Sequence, residues 1–268
     1  MSRAFLALSA LALVSCGSVF AAPLTLSGYS ENFDSIGVSG TVPPTDWSLK
    51  TGPSGTSNST WTNATGITPA GVAALIATPG ALTVVTTPTA NQNNGYNAAA
   101  SASATSARVI ATAPTTVSGG AIQLSLTNAT GAALNSINLS YDTIRYAAVG
   151  SANELPGYQV FYSLDGTTWN NVASLNPTLA GPGGVLVPNS VGTTSVASAP
   201  VSLASAWNNS ATLLLRWVDD NAVQTSPDQI IGLNNVSITP VTGGDVPEPA
   251  ALSMLALAAI PMLRRRAK

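Results

Sequence analysis

The chain has no histidine and only one cysteine, Cys16, among its 268 residues. Without histidine, a Ser-His-Asp triad, a Cys-His dyad and the usual histidine-rich zinc or iron sites cannot be assembled. Cys16 lies in the N-terminal segment, so a chain that loses this segment on export has no cysteine left for a disulfide. We therefore expect burial of a hydrophobic core to hold the fold without covalent cross-links.

Charged side chains are also scarce, at 7% of the residues. Residues 22–246 contain four basic residues against ten acidic ones, which gives a net charge of −6. The four basic residues are Lys50, Arg108, Arg145 and Arg216. Four scattered cations cannot neutralise the phosphates along a nucleic acid, so this class of partner is excluded. Solubility must come from serine, threonine and asparagine instead.

The first 21 residues are organised as a secretory signal peptide. Arg3 supplies the positive start, residues 4–14 are almost entirely apolar, and residues 19–21 offer small side chains for a signal-peptidase cut. The pattern predicts export and cleavage after residue 21. An alternative stays open, because residues 13–16 also fit a lipobox, which would place a lipid on Cys16.

The last 23 residues form a separate unit with a short polar motif, an apolar run over residues 250–263 and a basic end. A helix of that run would be about 21 Å long, short of the roughly 30 Å hydrocarbon core of a membrane. We therefore expect transient membrane insertion, with the basic end on the cytoplasmic side. The motif and the basic end consist of Pro247, Glu248, Pro249, Arg264, Arg265, Arg266 and Lys268.

This tail resembles the PEP-CTERM signal of bacterial exosortase substrates, whose sorting motif is matched by Pro247, Glu248 and Pro249. The resemblance implies that an exosortase cuts near the motif and releases or transfers the body. It also implies an exported protein of the cell envelope or extracellular matrix, in a setting of exopolysaccharide and biofilm production. The alternative is an ordinary C-terminal membrane anchor that contains Pro-Glu-Pro by chance.

Strand-like patterns dominate between the two signals, and clusters of asparagine, glycine and proline separate them. The pattern predicts an all-β protein with an antiparallel β-sandwich, with helices only in the two signals. One segment, residues 213–218, is nearly continuous in apolar residues and is typical of a central strand. The predicted strands include residues 122–126, 137–141, 158–162, 213–218 and 230–238.

One sandwich domain is expected rather than two. Asparagine-rich residues 91–95 and small residues 98–106 are interpreted as loop, and residues 180–200 as a second long connection within the same sandwich. The chain then divides into the signal peptide (residues 1–21), the sandwich (22–241), a linker with the Pro-Glu-Pro motif (242–249) and the sorting tail (250–268).

Three short phrases in the body resemble those of exported jelly-roll modules: residues 31–34, 163–169 and 231–238. The resemblance implies that the first and last strands of the domain lie side by side. In the middle phrase, Asp165 is followed by glycine, a pair that tolerates the positive φ angles of a tight hairpin turn. Trp169 is expected to pack back on the sheet, with a role in binding as the alternative.

Acidic residues cluster after the predicted central strand. Asp219, Asp220, Asn221 and Asp228 are expected in or beside one loop there. Calcium prefers oxygen ligands, and clustered carboxylates repel each other unless they are solvated or bridged by a cation. Two interpretations therefore stay open, a structural calcium site and a solvated acidic loop, and no other cofactor is indicated.

Exposed aromatic side chains are the second candidate for ligand binding. Sugars stack on the faces of tryptophan rings while neighbouring amides and carboxylates bind their hydroxyls. Trp61 and Trp207 lie among serine, threonine and asparagine, so we expect them to be exposed, which makes them the candidates for carbohydrate contact, although a lone tryptophan more often has a packing role. The alternative for both is ordinary packing, which we expect for Trp217 within its apolar run.

Glycoside hydrolysis needs two suitably spaced carboxylates, which Glu31, Asp34, Glu154 or the Asp219–Asp220 pair could supply. Nothing in the sequence indicates that two of them converge, so we expect no enzyme activity. The first hypothesis is a non-catalytic, exported envelope or matrix protein associated with exopolysaccharide. The alternatives are a carbohydrate-binding module and, third, a carboxylate-dependent glycoside hydrolase.

Overall fold

The computed structural model describes residues 21–53, 61, 66–78, 80–147, 155, 157–177, 191–221 and 229–242. The Pro-Glu-Pro motif, the basic end and almost all of the signal peptide lie outside these residues, as do Glu154 and Asp228. In the described part of the chain, no helix is long and apolar enough to cross a membrane.

Two seven-stranded sheets pack face to face as a β-sandwich, which confirms the predicted fold class at that level. Sheet I contains β1 (Ala22–Leu24), β3 (Trp47–Thr51), β4 (Ile76–Ala77), β8 (Gly119–Asn128), β10 (Gln159–Ser163), β11 (Asn170–Asn171) and β13 (Thr212–Asp220). Their order across the sheet is β11-β10-β13-β8-β3-β4, and β1 pairs in parallel with the end of β8 that β3 leaves free.

Sheet II is the second layer of the sandwich. It contains β2 (Tyr29–Glu31), β5 (Thr83–Val84), β6 (Gln92–Ala99), β7 (Arg108–Ala113), β9 (Leu134–Ala147), β12 (Gly192–Trp207) and β14 (Ile230–Pro240). The order is β12-β9-β14-β7-β6-β5, and β2 pairs with the second half of β14. The last described strand, β14, therefore lies beside the second strand, β2, whereas β1, the first strand of the domain, pairs with β8 and not, as the jelly-roll resemblance implies, with the last strand.

From β7 onward the chain changes sheet at almost every connection. Strands β7, β9, β12 and β14 belong to sheet II, whereas β8, β10, β11 and β13 belong to sheet I. Consecutive strands therefore face each other across the core more often than they pair. Hydrogen-bonded neighbours such as β8 and β13 are distant in sequence, so the sheets form only when remote segments meet.

Strand β13 is central, as predicted from its apolar run, because it lies between β10 and β8 with both faces buried. Leu215 and Trp217 face the core between the sheets. Arg216 and Val218 face the opposite side, where period-two alternation of the strand places them.

Aromatic rings fill much of the core between the sheets. The ring centroids of Phe33 and Trp47 are 4.8 Å apart, and those of Trp47 and Trp217 are 5.5 Å apart. Tyr141 meets Trp217 edge-on at 5.9 Å. Such pairs contribute roughly 0.5–1.5 kcal/mol each beyond their buried area. The Nε1 atom of Trp47 donates to the hydroxyl of Tyr29 at 2.7 Å, which ties β2 of sheet II to β3 of sheet I.

The outer face of sheet I is covered by a second apolar layer. The short helix α1 (Pro69–Ala73) lies over this face, and its N-cap Thr68 accepts a hydrogen bond from the backbone of Gly71 at 3.2 Å. A 3-10 turn (Ala173–Leu175) follows β11, and another (Asp34–Ile36) follows β2. The second layer consists of Trp61, Ile67, Val72, Leu75, Ala121, Leu155, Phe161, Trp169 and Val218.

The outer face of sheet II is polar along β9, β12 and β14. On β9, Leu139 and Tyr141 face the core, so Ser140 and Asp142 between and beside them face outward. The carboxylate of Asp142 accepts hydrogen bonds at 2.6 Å from the side chains of Ser195 and Asn235. We call this surface the polar face; it comprises Asn138, Ser140, Asp142, Ser195, Ser202, Ser237 and Thr239.

The loop prediction for residues 91–95 and 98–106 is wrong where strand β6 forms. This strand pairs with β7, and Ala98 is fully buried. Gly95 has a φ of +76° and lies at a shift in the strand register, where a Cβ atom would come 2.1 Å from a methyl carbon of Leu49. The segment is poor in large apolar residues because it packs closely, not because it is a loop.

The second connection predicted, residues 180–200, is also partly wrong. Residues 192–200 belong to the edge strand β12, and residues 178–190 lie outside the described part of the chain. Strand β12 carries Pro200 and two register irregularities, devices that discourage further pairing at an exposed sheet edge.

Candidate functional site

The acidic pair Asp219–Asp220 lies at the end of β13, and both side chains are buried, so the interpretation that these two carboxylates are solvated is wrong. Strand alternation places the two carboxylates on opposite faces of sheet I. On the core side, Thr112 Oγ1 of sheet II donates to Asp219 Oδ2 at 2.6 Å. The pair therefore does not present two carboxylates to one side.

Asn221 follows the acidic pair and is buried as well. Its side-chain amide donates to the carbonyl of Val117 at 2.5 Å. Asp228, the fourth residue proposed as a calcium ligand, lies outside the described residues. In the part of the chain that the structure describes, no group of three or more histidine, cysteine, aspartate or glutamate residues could hold a metal ion. The calcium site remains a prediction that depends on Asp228.

Tyr158 extends the polar contacts beside Asp219 into the core. Its hydroxyl donates to the backbone carbonyl of Ile231 at 2.8 Å. Complete burial, together with the nearby Asp219 carboxylate, raises the pKa of Tyr158 well above its usual range. Tyr158 therefore stays neutral and links the two sheets through hydrogen bonds.

Trp61 and Trp207 are buried, so the expectation that they are exposed is wrong. They are 3% and 1% accessible to solvent. Trp61 belongs to the second apolar layer, and Trp207 packs in the core between the sheets, where its Nε1 atom donates to the carbonyl of Ala211 at 2.9 Å. Both have the packing role that was the alternative interpretation, and neither presents a ring face to solvent.

Two of the carboxylates considered for glycoside hydrolysis, Asp34 and Asp219, are separated by the fold. Asp34 accepts a hydrogen bond from the backbone N–H of Arg108, and Asp219 accepts one from Thr112. These contact points are four residues apart on β7, which corresponds to about 13 Å along a strand. Catalytic carboxylates of glycosidases lie roughly 5–10 Å apart. Asp34 and Asp219 therefore do not form such a pair.

Glu31 is half-buried beside an open groove of about 350 Å³ between β2 and β14. Its carboxylate accepts the backbone N–H of Phe33 at 2.6 Å. Burial raises the pKa of Glu31, the direction that a general acid needs. No second carboxylate lines this groove among the described residues, although Asp46 and Asp34 are close enough to raise the pKa of Glu31 further.

The basic residues of the body are withdrawn from solvent. Arg108, Arg145 and Arg216 are buried, and Lys50 is half-buried. Arg108 is held by Asn97, whose side-chain oxygen accepts from Nε at 2.7 Å. The described surface consequently presents hydroxyl, amide and carboxylate groups, with almost no exposed positive charge.

A second open groove, of about 440 Å³, runs along the side of the sandwich between the β10–β11 hairpin and β12. We call it the side groove. The described residues that line it are all uncharged, and its volume is within the range of small-molecule sites. Its lining includes Pro69, Tyr162, Trp169, Asn170, Ser174, Pro200 and Ser202.

The hairpin that carries this groove is fixed by Asp165. Its carboxylate accepts the backbone N–H groups of Thr167 and Thr168 at 2.7 and 2.6 Å, which lowers the pKa of Asp165 far below its usual range. Gly166 has a φ of +76°, as the Asp-Gly pair predicts. The turn is longer than the tight turn expected, because Tyr162 pairs with Asn170.

Trp169 packs back on the sheet, as predicted, and is 3% accessible. One side of its ring is covered by Arg216, whose Cζ atom is 4.0 Å from the ring centroid. Arg216 also donates from Nε to Gln123 at 2.8 Å and from a terminal nitrogen to the carbonyl of Val72. Burial lowers the pKa of Arg216 to about 10, so it remains charged at neutral pH.

Two hydrogen-bond donors on residues that line the side groove have no acceptor among the described residues. The Nε1 atom of Trp169 is buried without an acceptor. Tyr162 accepts a hydrogen bond from the backbone of Ala204 at 2.7 Å, but its hydroxyl hydrogen has no acceptor in the described structure. Asn171, by contrast, is paired with Asn176 through two amide hydrogen bonds of 2.9 and 2.8 Å.

The sequence pointed to Trp169 but not to the groove beside it. The Ser-x-Asp-Gly-x-x-Trp phrase placed Trp169 next to a turn, whereas Pro200 and Ser202 come from β12, which is remote in sequence. Only the packing of the two sheets brings β12 beside the hairpin. No protein-family model matches the chain, and no curated protein matches it significantly.

Proposed function

We propose that this chain is an exported, non-catalytic protein of the cell envelope or extracellular matrix. Its C-terminal PEP-CTERM-type signal directs sorting and removal of the tail by an exosortase. The body then remains with exopolysaccharide. The proposal rests on the order of the signals in the sequence and on the surface chemistry of the sandwich.

The strand order supports a jelly-roll-like body. Four strands of sheet II run in the order β7-β14-β9-β12, and four of sheet I run β8-β13-β10-β11. Successive strands along the chain thus belong to alternate sheets, except for β10 and β11, as in the two Greek keys of a jelly roll. This architecture exposes loops and sheet faces that interact with ligands without chemistry at a catalytic centre.

The observation that carries the proposal is the withdrawal of positive charge from the described surface. Three arginines are buried, Lys50 is half-buried, and the body carries a net charge of −6. A surface of hydroxyls and amides forms hydrogen bonds with neutral polysaccharide but has no means of attracting a polyanion. Association with a neutral matrix polymer is therefore the interaction that this surface favours.

A carbohydrate-binding module is the second candidate. The side groove favours it, because uncharged lining residues and unpartnered hydrogen-bond donors suit a neutral sugar. Contact through Trp61 and Trp207 is no longer part of this proposal, because both rings are buried.

Processing of the tail tests the sorting part of the proposal. Mass spectrometry of the protein from producing cells is expected to find no peptide beyond Pro249. A chain with Glu248→Ala is expected to keep its tail and to accumulate in the inner membrane, with Glu31→Ala as a control outside the motif. Recovery of the wild-type protein with Lys268 still attached would contradict tail removal.

Association with the matrix needs a separate measurement. Wild-type protein is expected in the extracellular matrix fraction of normal cells. In cells that make no exopolysaccharide, it is expected in the culture medium. Equal retention by both kinds of cell would argue against the matrix role even if the tail is removed.

A further inference from the structure

We infer that the side groove binds a neutral glycan chain, and that the indole N–H of Trp169 and the hydroxyl of Tyr162 are its buried hydrogen-bond donors. This inference rests on the proposed association with exopolysaccharide and names the site and the class of polymer. It is carried by three features of the groove: its uncharged lining, its unpartnered donors and its rigid support.

The lining of the groove selects a neutral ligand. None of the described residues that line it is charged, and its walls combine prolines Pro69 and Pro200 with the polar side chains of Asn170, Ser174 and Ser202. This mixture matches a sugar ring, which presents apolar C–H patches and hydroxyls together. An acidic polymer would be repelled by the body's net charge of −6 and would find no exposed cation in the groove.

The buried donors supply the reason to expect a ligand. Trp169 is 3% accessible and Tyr162 4%, and both line the groove. A buried donor without an acceptor costs roughly 1–3 kcal/mol of stability, so nearly all such groups in folded proteins are paired. Sugar hydroxyls and ring oxygens accept hydrogen bonds, so a glycan in the groove would satisfy both donors.

Recognition at this groove occurs through hydrogen bonds rather than ring stacking. One face of Trp169 is already covered by the guanidinium of Arg216 at 4.0 Å. The positive charge draws electron density from the indole and makes its N–H a stronger donor. Because this N–H is shielded from solvent, a small shift of a lining side chain must precede contact. We therefore expect weak binding, with a dissociation constant of roughly a millimolar.

The groove is held by contacts that do not themselves use its free donors. Asp165 fixes the hairpin through two backbone hydrogen bonds, and the Asn171–Asn176 amide pair fixes the segment after β11. Arg216 supports Trp169 from behind. A fixed backbone limits the rearrangement on binding to that side-chain shift, which reduces the entropy lost.

The decisive variant is Trp169→Phe, because it removes the free N–H and keeps an aromatic ring in the same position. The matched control is Trp61→Phe, which makes the same change in the same apolar layer but outside the groove. Binding of the exported protein is measured by affinity electrophoresis in hydroxyethyl cellulose, a neutral glucan, with alginate as the polyuronate comparison. Circular dichroism checks that each variant is folded.

We expect Trp169→Phe to weaken retardation in the neutral glucan about three- to tenfold, the effect of one hydrogen bond. Asn170→Ala and Ser174→Ala are expected to weaken it less, and Trp61→Phe to leave it unchanged. Retardation in alginate is expected to be weak for every variant.

Equal weakening by Trp61→Phe and Trp169→Phe would overturn the inference, since the effect would then come from packing. Loss of binding on Ser140→Ala but not on the groove variants would move the site to the polar face. If groove variants bind the glucan as wild type does while the protein still stays with the matrix, only the groove assignment fails. Release of the wild-type protein from the matrix would instead undermine the proposed function itself.

Discussion

The outer faces of the two sheets differ in what lies on them. Sheet I is covered by the second apolar layer, including Trp61, Phe161 and Trp169, so its central strands are buried on both sides. Sheet II carries hydroxyls and amides on its polar face, and the side chains of Ser140 and Ser237 there are only partly buried. One sheet is an inner layer of the molecule, and the other is part of its surface.

This difference explains the two kinds of strand pattern in the sequence. Strand β13 is a nearly continuous apolar run because both its faces are buried, whereas β9 alternates because only one is. The same difference locates the ligand-binding chemistry. The side groove lies where the covered sheet I meets the edge strand of sheet II, so buried donors and exposed hydroxyls meet there.

The largest expected effect comes from opening the covered face. Phe161→Ala removes a fully buried ring from the second apolar layer and should lower the free energy of unfolding by about 3–5 kcal/mol. Ser140→Ala on the polar face should change it by less than about 0.5 kcal/mol. Urea denaturation followed by circular dichroism measures both.

Similar losses in the two variants would mean that the polar face is also covered in solution, by another part of the chain or by a second copy. Concentration dependence of the unfolding midpoint would separate these cases, because only assembly makes the midpoint depend on protein concentration.

A smaller effect is expected from the buried polar pair under the second layer. Gln123→Met leaves the Nε–H of Arg216 without its acceptor and should cost about 1–3 kcal/mol. A double variant that combines Gln123→Met with Arg216→Met also removes the charge that lost its acceptor. Its loss of stability should therefore be smaller than the sum of the losses in the two single variants. The coupling is expected to be about 1 kcal/mol in a double-mutant cycle.

Additivity of the two changes would show that Gln123 and Arg216 do not depend on each other. Arg216 would then be held by Trp169 and the carbonyl of Val72 alone. The support of the side groove would in that case come from the hairpin rather than from the buried cation.

Periodicity predicted the β-sandwich and its central strand because large apolar residues mark one or both faces of a strand. It failed at β6, where the buried residues are small, and Ala98 has the composition of a loop but no solvent exposure. It failed in the same way at Trp61 and Trp207, because polar sequence neighbours do not reveal what a side chain meets across the fold.

The candidate site residues were also predicted poorly, because sequence neighbours do not show what surrounds a side chain in the fold. Asp219 and Asp220 are adjacent in sequence, and their acidic character suggested a loop, yet both complete a buried strand. The side groove could not be predicted, since Ser202 of β12 becomes a neighbour of the β10–β11 hairpin only when the two sheets pack together. The positive φ angle of Gly166 could be predicted, because it depends only on the Asp-Gly pair in the sequence.

The smallest effect is expected at the exposed end of sheet I, where the second layer stops. The backbone N–H groups of Thr168 and Thr167 hold the pKa of Asp165 below its usual value near 3.9. The lowered pKa stabilises the folded state at every pH above the usual value. This contribution is lost as the pH falls from the usual value toward the lower pKa of the folded state. Between pH 5 and about pH 2, the unfolding temperature of wild type should therefore fall more steeply than that of Asp165→Asn, whose side chain still accepts a hydrogen bond but does not titrate. Thermal unfolding at a series of pH values measures the two slopes. Parallel slopes would show that the hairpin, and with it the wall of the side groove, is held without the charge of Asp165.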